Sequence, residues 1–299
     1  MPQQESQRHP LWRIHDRLAW AQEQSVTIGD NIRWFLNDEP YRVTSQLECN
    51  KTEYACYLIQ HTRVPALIGL LIGDCIHNLR STLDNLIWAL TELNGHSPPE
   101  TIPSRGSDWR GIAFPLLTAP LARRKETDFM DRCLWGLSPG ARDLVEWLQP
   151  YKRGDATLAR ALGNLDEFAN MNKHRFLPLA LGEPFLISRS ILPFAPLGAV
   201  NVFTPGPLHH GAQIARVRFP SPQPQVKVDL KFVFNVLFDE PTPIKDIVTK
   251  VLSEMALGVS TVVDWFSQLV TSSGDLTQLG VPAHEVTVTP DRYSREETI

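Results

Sequence analysis

Residues 69–93 read GLLIGDCIHNLRSTLDNLIWALTEL. Wound at about 100° per residue, this stretch separates into two faces. Ile72, Cys75, Ile76, Leu79, Leu83, Leu86, Ile87 and Leu90 fall on one side. Asp74, His77, Asn78, Arg80, Ser81, Asp84 and Asn85 fall on the other. The pattern predicts an amphipathic helix packed on a core. The polar face has an uncommon composition for one in water. It carries no Lys and no Glu between Ile72 and Leu90, whereas solvated helix faces are usually built from Lys, Glu, Gln and Arg. Asp, Asn and Ser compete for backbone hydrogen bonds and are mediocre mid-helix. Such residues fit a binding or chemical site, a buried polar network, or plain solvent. Their types favour the first.

The spacing within that face gives roles. Asp74 and His77 are three apart, His77 and Arg80 three apart, Arg80 and Asp84 four apart, so their side chains share one side of the helix. A His held by a carboxylate can move protons near neutral pH. His77, Arg80 and Asp84 are therefore candidate catalytic residues, with Asp74, Asn78 and Asn85 as binding residues beside them.

The rest of the chain predicts an α+β fold of long helices packed with an antiparallel sheet. Pro10–Leu36 has helical spacing, with Gly29 as a point of weakness. Tyr41–Cys49 and Glu53–Gln60 alternate and read as a hairpin turning at Asn50–Lys51. Pro65 opens the long helix. Residues 95–120 are rich in Pro, Gly and Ser and read as loop. Short helices follow at Thr127–Leu134 and from Ser138–Pro139 to Leu148, then a longer one at Thr157–Asn172. From Phe176 the period becomes two. Strands are expected at Phe185–Leu192, Ala199–Thr204, Gln213–Phe219 and Val226–Phe238, a β-rich segment at about 184–238. Thr242–Val270 reads as the closing helix. The expected organisation is one domain over 1–272, with a helical part (10–175), a β-rich part (176–239) and a closing helix (242–270). Residues 273–299 read as a flexible tail with a short strand at Glu285–Thr289.

A second polar cluster, NMNKHR at 170–175, ends the Thr157–Asn172 helix. Basic residues there can simply offset the helix dipole. They can also form the positive wall of an anion site, which makes His174 a further catalytic candidate and Asn170, Lys173 and Arg175 binding candidates.

Composition narrows the classes. With 299 residues, 42% apolar and 21% charged, the chain is ordinary for a globular protein. A net charge of −4 argues against a strongly basic nucleic-acid binder. No apolar run approaches the roughly 18 residues of a membrane span, and the start lacks a signal-peptide pattern. A cytoplasmic protein with no membrane partner is expected. The four cysteines form no C-x-x-C pair, and Cys75 reads as a core residue. No cofactor is indicated. A metal held by Asp74, His77, Asp84 and His174 would suit Zn, Mn or Fe, but no H-E-x-x-H or di-iron pattern is present, so no metal residues are assigned.

GDCIHNLRSTLDNLIWAL at 73–90, LQPY at 148–151 and NMNKHR at 170–175 together resemble a group of bacterial proteins without an assigned activity. The first signature also resembles, more distantly, the HEPN superfamily of helical proteins. That resemblance implies metal-independent ribonucleases of bacterial defence and toxin–antitoxin systems, which dimerise so that two Arg-and-His motifs face each other. Arg80 matches the Arg. Asn85 stands near the place of the His, and no His follows within six residues. The expectation is a non-catalytic module that binds a nucleotide, RNA or a partner, with a homodimer formed through the long helix. A metal-independent ribonuclease and a metal-dependent hydrolase are the alternatives.

Overall fold

The stretch quoted above lies in one helix, α2, Ala66–Leu93. Every residue of its predicted apolar face from Ile72 to Leu90 is at most 5% exposed. The structure is a computed structural model that describes residues 9–48, 51–96, 111–153, 156–192, 198–203, 206–242 and 244–272. The expected tail, its strand at Glu285–Thr289 and Cys49 lie outside them. The fold is α+β, with long helices and antiparallel sheets. Among the described residues, no helix is long and apolar enough to cross a membrane.

Contacts gather the chain into two compact units. One comprises Met1–Glu23, Cys75–Asn170 and Ser253–Ile299, the other Gln24–Asp74 and Met171–Leu252. The divisions fall inside helices.

In the first unit, α1 (Trp12–Asn37) contributes Leu11, Ile14, Leu18 and Ala21 as a buried stripe beside its start. Helix α3 spans Arg123–Cys133, earlier than expected, and α4 spans Pro139–Trp147. The α4 start is the one read from Ser138–Pro139: the Ser138 hydroxyl accepts from the Ala141 N–H at 3.4 Å. Helix α5 is Ala156–Asn172 and α6 is Val248–Thr271. They approach closely at Gly258, where a Cβ would stand 2.9 Å from that of Ala161. The indoles of Trp147 and Trp265 lie 5.4 Å apart, and the Arg153 guanidinium sits 4.0 Å from the first ring.

Among the described residues of the second unit, seven strands form two antiparallel sheets. One has the order β1 (Tyr41–Leu47), β2 (Glu53–Gln60), β6 (Gln213–Arg218), β4 (Ala199–Val202). The other is β5 (Pro207–Leu208), β3 (Leu179–Leu192), β7 (Lys227–Phe238). Val228, Leu230, Phe232, Phe234 and Val236 of β7 are buried, while Lys227, Asp229, Lys231 and Val233 between them are exposed, the expected alternation. Side chains tie β1 to β7: Ser45 Oγ donates to the Val228 carbonyl at 2.7 Å, and the Tyr41 and Phe234 rings stack edge-on at 4.4 Å.

Two further boundaries differ from expectation. The β-rich segment begins at Leu179, because Leu179–Gly182 pairs with Phe238–Asn235. Pro184 sits where the pairing skips between Gly182 and Phe185, so its missing N–H costs no ladder bond. Helix α6 begins at Val248 rather than Thr242. The Thr242 hydroxyl contacts the Asp239 and Ile244 carbonyls, and Ile247 bridges to Leu237, so these residues stand outside the helix. Helix α1 runs unbroken through Gly29.

Cys56, Cys75 and Cys133 are free and buried. Burial pushes the Cys75 thiol up to about 12 and those of Cys56 and Cys133 to about 11. At pH 8 their thiolate fraction is at most about one in a thousand. Peptide mapping after native iodoacetamide treatment is expected to find these three unmodified, and rapid labelling only above the urea midpoint.

Candidate functional site

Arg80 and Asp84 form an ion pair, Nη1 to Oδ1 at 2.7 Å, on the border of the buried face of α2. Neither stops there. Arg80 Nη2 donates to the Phe114 carbonyl at 2.8 Å, and Asp84 Oδ1 accepts from the Phe114 N–H at 3.0 Å. Phe114, Pro115 and Leu116 are buried, yet they belong to no helix or strand. A buried irregular backbone must find partners for its polar groups. Gln149, itself fully buried, supplies the next ones. Its Nε2 donates to the Pro115 carbonyl at 3.1 Å and to the Val145 carbonyl at 2.9 Å, and its Oε1 accepts from the Leu117 N–H at 3.0 Å. The Tyr151 N–H closes the series on the Leu117 carbonyl at 3.2 Å. Two of the sequence signatures, the one around Arg80 and LQPY at 148–151, thus meet on one strap, Phe114–Leu117. Cys133 belongs to the same surroundings. Burial dominates its raised pKa, while the Arg132 and Arg80 guanidiniums pull the other way.

The third signature meets the first in the second unit. Asn172 Nδ2 donates to the Gly73 carbonyl at 3.1 Å. A Cβ on Gly73 would stand 2.4 Å from Asn172 Oδ1, so glycine is what lets that side chain reach the helix backbone. One turn earlier, a Cβ on Gly69 would lie 3.3 Å from the Leu177 carbonyl.

The remaining candidates face outward or half outward. Asp74, His77 and Asn170 are exposed, and Asn78 and Asn85 are half-buried. The His77 ring nitrogen Nε2 is 3.4 Å from the Ser81 hydroxyl. Asn170 Nδ2 donates to Asp166 at 3.1 Å. Lys173, His174 and Arg175 are exposed at the end of α5, followed by Phe176 at 78% exposure. Among the described residues, no three His, Cys, Asp or Glu side chains are grouped as a metal would need. Asp84, one member of the metal set that the sequence suggested, is turned to Arg80 and the Phe114 N–H.

Sequence reasoning passed over Gln149, Phe176 and Asp143. Burial, with Glu146 nearby, raises the Asp143 carboxyl to about 6. Its folded-state pKa lies above the ordinary 3.8, so its ionisation weakens the fold as pH rises from that value through about 6. Comparison with protein-family models, with curated proteins and with solved structures finds no match.

Two stability measurements follow from this geometry. Gln149→Ala takes their side-chain partner from the Pro115 and Val145 carbonyls and the Leu117 N–H and is expected to cost about 2–4 kcal/mol in urea unfolding. Arg80→Ala is expected to cost about 1–3 kcal/mol. Because both release the same strap, the double variant should lose less than the sum, by about 0.5–3 kcal/mol; strict additivity would show that the strap is not a unit. Gly73→Ala is expected to destabilise by about 1 kcal/mol alone. In an Asn172→Ala background it should become neutral or stabilising by up to about 1 kcal/mol, the helix-propensity difference.

Proposed function

We propose that the protein is a non-catalytic module that binds RNA or a nucleotide, rather than a ribonuclease. The observation that carries this reading is the engagement of Arg80. Its guanidinium is turned to Asp84 and to a backbone carbonyl, so the cation that a HEPN-like nuclease would aim at a phosphodiester transition state is part of the scaffold. Asn85 in place of the expected His supports the same conclusion.

The binding surface in this reading is Lys173–Phe176. Two cations and a histidine attract phosphates, and an exposed aromatic ring gives a base a face to stack on. The net charge of −4 limits the electrostatic reach to that local cluster.

A fluorescein-labelled single-stranded RNA, followed by anisotropy across a salt series, tests the proposal. Lys173→Ala/Arg175→Ala should weaken binding and flatten the log–log salt slope by about 1.4. Phe176→Ala should cost about 1–3 kcal/mol without changing that slope. RNA that binds equally well to all three proteins removes this surface. A ribonuclease is the second reading, favoured by the exposed imidazoles of His77 and His174. Turnover that disappears in His77→Ala would establish it and exclude the non-catalytic module.

A further inference from the structure

In the first unit, the start of α1 and the end of α2 enclose an open cleft of about 680 Å³. That volume is within the range of small-molecule sites. Trp12, Arg13 and Arg17 line it from α1, and Asn85, Trp88 and Glu92 from α2. No side chain of the four polar members of this set, Arg13, Arg17, Asn85 and Glu92, is hydrogen-bonded or ion-paired to another described residue; the Arg13 guanidinium lies over the Trp12 ring, at 5.2 Å. Two guanidiniums that no carboxylate of a described residue pairs, beside half-buried indoles, bring donors and aromatic surface to one cleft.

The α1 side of the cleft is held in place. His9 Nδ1 accepts from the Leu11 N–H at 3.1 Å, the His9 carbonyl accepts from the Trp12 N–H at 2.9 Å, and the His15 ring contacts Ser267 Oγ at 2.9 Å. Such anchoring reduces the ordering cost of binding.

We propose that this cleft binds a flat ring bearing an anionic group, a chemistry shared by mononucleotides and aromatic carboxylates. The guanidiniums of Arg13 and Arg17 take the anionic oxygens in forked hydrogen bonds. Trp88 covers the ring, and the Asn85 amide offers one donor and one acceptor to its edge. Glu92 is the carboxylate of the wall, and it repels further negative charge. That selects a compact ligand with its charge at one end over a polyanionic strand.

The proposal does not rest on the RNA surface at Lys173–Phe176, and its test uses different ligands and variants. Calorimetry on the full chain would compare adenosine 5′-monophosphate and indole-3-acetate with adenosine, which lacks the anion, and inorganic phosphate, which lacks the ring. At least one ring-bearing anion is expected to bind with Kd below about 1 mM, and adenosine and phosphate roughly tenfold or more weakly. Arg17→Glu should weaken the binding anion at least about tenfold, Trp88→Ala about tenfold, and Trp88→Phe only a few-fold. A preference between the two ring-bearing anions names the source of the ligand. Adenosine or phosphate binding as tightly as both anions overturns the proposal. So does binding that survives Arg17→Glu, and so does no saturation by either anion below about 1 mM. Arg17 is half-buried, and near-ultraviolet circular dichroism of Arg17→Glu checks that its fold is kept should Trp88→Ala prove unstable.

Discussion

A segment that is buried yet belongs to no ladder imposes the strongest demand on this chain. Phe114–Leu117 brings an aromatic ring and a leucine into the core and exposes its amides to a medium that cannot solvate them. Each of the paired groups along it is met by a specific neighbour: two from Asp84 and Arg80, two from Gln149, one from the Tyr151 backbone. An unsatisfied buried amide or carbonyl costs about 1–3 kcal/mol, a large share of the 5–15 kcal/mol net stability of a typical domain. This explains why α2 carries Arg and Asp where a solvated helix would carry Lys and Glu.

The sequence was most informative where one element's own period decides the outcome. The apolar stripe of α2, the alternation of β7 and the Ser138–Pro139 helix start all depend on neighbours a few residues away, and all are found in the structure. It was least informative where a distant partner decides. The expected strand starts only at Phe185, and Leu179–Gly182 joins it because those residues find partners on β7. Thr242 reads as a helix start until its hydroxyl is seen to hold Asp239 and Ile244. A helical wheel places Arg80 and Asp84 on the polar side. It does not reveal that a backbone 30 or more residues further on lies against that border.

The same distinction sorts the candidate residues by role. Gly73, Arg80, Asp84, Gln149 and Asn172 act within the protein, as partners of backbone groups or as the gap that admits one. Asp74, His77, Lys173, His174 and Arg175 present their chemistry outward. A signature of closely spaced polar residues can therefore contain both scaffold and surface. In the long helix the two are interleaved: His77 and Asn78 precede Arg80 by less than one turn, and Asn85 follows Asp84 directly.

The pairing of Trp147 with Trp265 has an optical consequence. Two indoles 5.4 Å apart, with a guanidinium against one of them, couple their excited states and sit in a strongly asymmetric field. One ring ends α4 and the other belongs to α6, both within the first unit. The protein therefore carries an intrinsic chromophore whose ellipticity reports whether α6 is docked on α4.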